Sequence, residues 1–274
     1  VAGAGVAKLS DLRAPFGIGF ITWSLAKRPE LLDIALAAKP SAIMLSFGDP
    51  APFAPKIRSA GARLICQVQD EAMARQALDA GADILIAQGT EAGGHGASRT
   101  SIDLVPAIVD LAGRVPVVAA GGIADGRGLA AMMMLGASGV LLGTRFYASQ
   151  EADGAEEAKR RICAASSGST VRGIIFDLSR NNVWPAPFTG RCLLNDHARR
   201  WIGREVEMMQ NVAAVAADYA VAKAADNFDI AAVIAGEAVG LIHDIPPAAE
   251  IVERIAAEAE HLLAGRRNSI TSVA

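Results

Sequence analysis

Residues 115–146 read VPVVAAGGIADGRGLAAMMMLGASGVLLGTRF. The apolar run VPVVAA (115–120) has strand length and ends in two glycines. GRGLAAMMMLG (126–136) then carries apolar residues at helical spacing, and a second apolar run, SGVLLG (138–143), follows. Strand, glycine turn, helix and strand make one βαβ unit, with Gly136 read as the helix C-cap. The unit repeats upstream. Strand-like runs lie at FGIGFI (16–21), AIMLSF (42–47), RLICQV (63–68) and DILIAQ (83–88). Helical spacing fills 28–38, 70–80 and 101–112, and Gly81 reads as another C-cap. Strands this uniformly apolar are parallel and buried on both faces.

Two architectures use such units: an open doubly wound sheet and a (β/α)8 barrel. The open sheet announces itself with GxGxxG after its first strand. VAGAGVA (1–7) is a poor match, with no strand before it. The reading is therefore an α/β chain whose residues 1–150 form a TIM-type (β/α)8 barrel lacking its first one or two strands. The six runs stand as strands three to eight. Residues 151–274 read as a mainly helical lid. It has a polar helix at 154–166, an extended, loop-like stretch TVRGIIFDLSRNNVWPAPFTG (170–190), further helices, and a frayed RRNSITSVA end.

Composition narrows the function. Net charge is −3 with both signs interspersed, which argues against a nucleic-acid surface. The 274 residues are 52% hydrophobic and only 5% aromatic, so the core is aliphatic. Cys66, Cys163 and Cys192 are far apart and form no CxxC pair, so neither a disulfide framework nor a metal site is indicated. Cys66 reads as a core residue. No stretch approaches the roughly 18 apolar residues of a membrane span. VAGAGVAKLS lacks the features of a signal peptide, and a cytoplasmic setting is expected.

In a parallel fold the strand C-termini share one face, where barrel active sites sit. Gln67 and Gln88 end strand-like runs, Gly121 and Gly122 follow Ala120, and Gly143 and Thr144 follow GVLL. GGIADGRG opens a helix whose N-terminal amides are expected to hold an anion. Either glycine loop alone reads as a tight turn; the two together read as a phosphate cradle. The two glutamine amides offer donors and acceptors to a heterocycle such as a flavin.

QGTEAGGHG (88–96) is too rich in glycine for a helix or strand. Gly93 and Gly94 let backbone approach a flat ring, and His95 is the candidate acid or base. Glu91 either orients His95 or is solvated. Arg99 is better read as a surface ion pair than as a substrate contact. His197, His243 and His261 read as surface or capping residues, and Met132, Met133 and Met134 as helix packing.

AQGTEAGGHG, the 115–146 segment and GIGFITWSLAKRPELL closely resemble the nitronate monooxygenases, over about residues 14–264. The resemblance implies an FMN-bound (β/α)8 barrel with a helical lid that oxidises alkyl nitronates with O2 to carbonyl compounds and nitrite. It implies His95 as the catalytic residue. It places Gln67, Gln88, Gly93, Ala120, Gly121, Gly122, Gly143 and Thr144 against FMN. The partners implied are a small nitronate or nitroalkane and O2, in a monomer or an oligomer. The family opens with two strands that this sequence does not display, VAGAGVA being at most a remnant. Three alternatives stand beside this reading. One is the related flavin-dependent enoyl-acyl carrier protein reductases, with NADH. The others are an inactive remnant and a barrel that binds a sugar phosphate.

Overall fold

In a computed structural model, residues 14–270 are described, with side chains to residue 265. VAGAGVA and most of RRNSITSVA lie outside the described residues or side chains. The strands are β1 (Gly17–Ile21), β2 (Ala42–Ser46), β3 (Arg63–Val68), β4 (Ile84–Gln88), β5 (Gly94–Gly96), β6 (Val117–Ala120), β7 (Gly139–Leu141), β8 (Thr170–Gly173) and β9 (Thr189–Leu193). Six form a parallel sheet in the order β1-β2-β3-β4-β6-β7. Each of the six apolar runs read from the sequence is one of these strands.

Between them run the helices Glu30–Ala37, Ala54–Ser59, Glu71–Asp79, Ser101–Ala112 and Gly126–Met134. Asp70 caps Glu71–Asp79 by accepting from the Met73 amide at 2.7 Å, which satisfies one of the free first-turn donors. Gly81 and Gly136 follow helix ends at φ of +83° and +94°, a backbone state that glycine adopts at little cost. The core joins strand residues Ile43, Leu64, Cys66, Leu85 and Ala119 to Ile57, Ala74, Leu104 and Ile108 of the helices. Each fully buried leucine or isoleucine contributes about 1.5–3 kcal/mol. Met132 packs against this core, whereas Met133 and Met134 are exposed, so the expected packing role holds for one methionine of the three.

The edges of the sheet differ from its middle. Among the described residues β1 pairs only with β2, and β7 only with β6. Neither has a fully buried residue, whereas β3 and β4 are buried along most of their length. The sheet is open among the described residues.

The region beyond residue 150 corrects the sequence reading in two places. GHG is a strand after all: β5 pairs antiparallel with β9, and β9 with β8, in a second sheet of three strands. A short edge strand tolerates glycine when a partner supplies the hydrogen bonds. The 170–190 stretch, expected to be extended throughout, holds β8, the short helix Ile175–Ser179 and the start of β9. The last helix, Ala248–Ile270, packs against Gly126–Met134 in the outer layer of the parallel sheet. No helix among the described residues is long and apolar enough to cross a membrane.

Candidate functional site

Register levels the strand ends. Gln88 lies beside Ala120, and Ala120 beside Leu141. A cavity of about 380 Å³ opens there. Its lining includes Gln88, Gly93, Ala120, Gly121, Gly122, Gly143 and Thr144, seven of the eight residues expected at a cofactor. The segment 232–238 closes the far wall with Ala232, Ile234, Gly236 and Ala238. The eighth residue, Gln67, stands behind: its Nε2 donates to Gln88 Oε1 at 3.0 Å.

Glycine is required at the rim. A Cβ on Gly93 would lie 2.7 Å from the Ala235 carbonyl carbon and 2.8 Å from the Gly236 nitrogen. Gly121 has φ of +103°, and a Cβ there would lie 3.0 Å from Ala92 N and from Gly89 O. Thr144 Oγ1 accepts from the Gly236 amide at 2.9 Å, which leaves its own hydrogen to donate. The amides of Gly122, Ile123, Gly143 and Thr144 have no acceptor among the described residues. Unmet amides at a cavity wall suit an anion.

Two of the amides that open helix Gly126–Met134, expected to hold that anion, are taken. Asp125 accepts from Gly128 N at 3.1 Å and Glu258 from Gly126 N at 2.7 Å. The chain supplies its own carboxylates there, one from the C-terminal helix. The strand-end loops are therefore the main source of free anion donors.

The loop between β4 and β5 is held by two arginines. Arg172 Nη2 donates to Thr90 O at 2.8 Å and Ala92 O at 2.9 Å, and Arg191 Nε to Thr90 O at 2.9 Å. Burial, and then the neighbouring Arg191 charge, push the Arg172 guanidinium down to about 10. Glu91 orients nothing at His95. Its carboxylate accepts from Ser101 N at 3.0 Å and Ser101 Oγ at 2.8 Å, at the start of helix Ser101–Ala112.

His95 lies outside the cavity lining. It connects through its backbone, because Gln88 Nε2 donates to His95 O at 3.0 Å. Its Nε2 lies 3.0 and 3.1 Å from the two oxygens of Asp177. Asp177 is 2% exposed and also accepts from Arg180 Nη2 at 2.8 Å. The Trp184 indole lies flat on the imidazole, with centroids 3.5 Å apart and planes 6° from parallel. Sequence reasoning missed both partners because they lie in the stretch read as loop. The signal present was an aromatic residue just before two prolines in a chain poor in aromatics.

Gln69 was also missed. It is 1% exposed; its Nε2 donates to Gln88 Oε1 at 2.8 Å, and its own Oε1 has no partner. A buried amide oxygen without a donor is costly. His197, read as a surface residue, is buried and bonded to Ser179 Oγ at 2.8 Å. Burial pushes its imidazole below the usual histidine range, and it is a packed core histidine rather than a surface or capping residue. Arg99 pairs with Asp103 and Glu71, as expected, and His243 and His261 are exposed.

The nitronate monooxygenase family profile matches residues 25–258. The chain belongs to the nitronate monooxygenase family. It is 35% identical to nitronate monooxygenase npaC of Metarhizium robertsii, over 91% of this chain and 74% of that one. A nitronate monooxygenase of Neurospora crassa is 33% identical over 89% of this chain and 71% of that one. Among solved structures, FabK from Thermotoga maritima superposes with a TM-score of 0.84 at 29% identity, covering 97% of this chain and 83% of that one. Nitroalkane oxidase from Streptomyces ansochromogenes superposes at 0.76 with 24% identity, over 98% and 87%, a likeness of fold. As a member of the nitronate monooxygenase family the chain is a flavin-dependent oxidoreductase.

Proposed function

We propose that the protein binds FMN and oxidises small alkyl nitronates with O2 to carbonyl compounds and nitrite. The observation that carries this is the joining of an anion-suited cavity to a carboxylate-held histidine by one residue, Gln88. The residues fit a flavin on two counts. The unmet amides of Gly122, Ile123, Gly143 and Thr144 suit its phosphate, and Gln88, on the same cavity wall, keeps one amide hydrogen for a ring edge. Gly121, Gly122, Gly143 and Thr144 would hold the phosphate, while Gln88 with Gln67 and Gln69 behind it would meet the ring.

Bound flavin supplies the electron-accepting chemistry. The protein's own groups do the rest. In the neutral imidazole the Asp177 carboxylate accepts from Nε2–H, which leaves Nδ1 as the basic nitrogen. Nδ1 then takes a proton from a neutral nitroalkane, or the protonated ring steadies a nitronate anion. Asp177 steadies the imidazolium in either case, and Gln88 fixes the backbone that carries the ring.

The likeness to FabK supports a second reading, an NADH-dependent reductase on the same scaffold. One pair of assays separates them. Purified chain loaded with FMN is expected to take up O2 with ethyl nitronate and to react slowly with NADH. Rapid bleaching by NADH without nitronate turnover would overturn the first reading. Failure to retain FMN would overturn both for this chain and favour an inactive remnant.

A further inference from the structure

The face of His95 that a substrate must reach is covered. Its side chain is 11% exposed, and Trp184 lies flat upon it. The other walls are fixed: Asp177 sits in helix Ile175–Ser179 and Gly190 in β9. Trp184 sits on a segment without regular structure. Asn181, Asn182, Val183, Pro185, Ala186 and Pro187 are all exposed, and only the indole is tucked in. The amides of Val183 and Trp184 find no acceptor among the described residues. Between its backbone anchors at Asn182 and Phe188 the loop is held inward by one side chain, which makes it a unit of low local stability.

The indole fills a slot of definite shape. Its floor is the His95 ring, one π-contact away. Phe47 and Trp23 meet the indole edge-on, with centroids at 5.1 and 5.4 Å and planes at 84° and 74°. Phe188 braces Phe47 at 5.0 Å. Edge-on aromatic walls around a flat floor suit another flat π-system, and a compact saturated group would leave them in poor contact.

We propose that Trp184 is a displaceable plug over His95, and that the slot it vacates selects substrates with a flat unsaturated or aromatic group. This rests on reading His95 as the reacting group. The indole leaves, the flat group takes its place on the imidazole, and Phe47 and Trp23 hold its edges.

Two measurements on the full chain test it. In the first, acylation of His95 by diethyl pyrocarbonate is followed by peptide mass analysis. Trp184→Ala is expected to speed it about tenfold or more, as removal of a local closing contact should. Trp184→Phe, which keeps a ring in place, should lie between. Equal rates in wild type and Trp184→Phe, or in wild type and a folded Trp184→Ala, would overturn the plug. In the second, 5-fluorotryptophan labels the three tryptophans, and Trp184→Phe identifies the Trp184 line. The phenylnitromethane anion is expected to protect His95 and to move that line to its solvent-exposed position. Protection with the line unmoved, or binding of ethyl nitronate but not of the phenyl compound, would overturn the slot. If His95→Gln keeps full turnover, the functional reading fails, while the fluorine spectrum still decides whether Trp184 is displaced.

Discussion

The cavity beside Gln88 and the enclosure of His95 share one loop but are built by different means. The cavity is a product of the parallel sheet: strand ends brought level by register, with backbone amides and glycines as its working groups. The enclosure is a product of the antiparallel sheet and the segment joining its strands β8 and β9, and its working groups are side chains 82 and 89 positions beyond His95, Asp177 and Trp184. Backbone donors come with the fold and hold an anion whatever the side chains are. An oriented imidazole needs a specific partner from elsewhere in the chain. On the proposed function the same protein therefore has a binding region that is generic to its architecture and a reacting region that is specific to its tertiary packing.

That separation is breakable by mutation. The largest expected effect is His95→Ala, which should cut nitronate turnover by about two to four orders of magnitude and leave FMN absorbance in place. Loss of FMN along with turnover would mean that the two regions are one. Next comes Gly93→Ala. Its Cβ would push against the backbone of 235–236, so FMN affinity should fall about tenfold or more, equivalent to roughly 1.4 kcal/mol, in a fluorescence titration. An unchanged affinity would show that this wall moves freely.

Asp177→Asn keeps shape but removes the charge that steadies the imidazolium. Turnover is expected to fall about tenfold with little change in KM, since positioning acts on the reacting group rather than on substrate binding. A rise in KM alone would place Asp177 in binding instead.

The smallest effect compares the two sheets through one thiol each. Burial pushes both Cys66, in β3, and Cys192, in β9, up to about 12. Their folded values are raised, so the unfolded chain loses these protons first as pH climbs past about 9. Stability is then full below that pH and declines between about 9 and 12, by up to about 1.4 kcal/mol per pH unit per thiol. Alanine at either position should flatten the alkaline slope of denaturant unfolding. A slope that responds to one position only would show that one sheet opens before the other.

The six strands of the parallel sheet were legible because each is a local apolar run bounded by glycine or by a helix of plain amphipathic spacing. Seven cavity residues were legible for the same reason: Gln88, Gly121 and Thr144 sit at strand ends, and strand ends share a face. The helix amides at Gly126 were misread because the carboxylate that occupies one of them, Glu258, is 132 positions away. The strand at GHG was misread because its hydrogen bonds belong to β9, and composition alone says only that glycine disfavours a strand.

What the sequence determined by itself is therefore the alternating α/β architecture, the face on which the cavity opens, and most of the residues that line it. Periodicity and strand-end position are local properties, so they can be read without contacts. Only the tertiary structure decided which nitrogen of His95 is held, that Asp177, itself bonded to Arg180, holds it, that Gln69 waits with an unmet oxygen, and that Trp184 covers the ring. Those are pairings between distant segments. Their geometry is set by how the antiparallel sheet folds back over the strand ends, and no short window of residues carries that information.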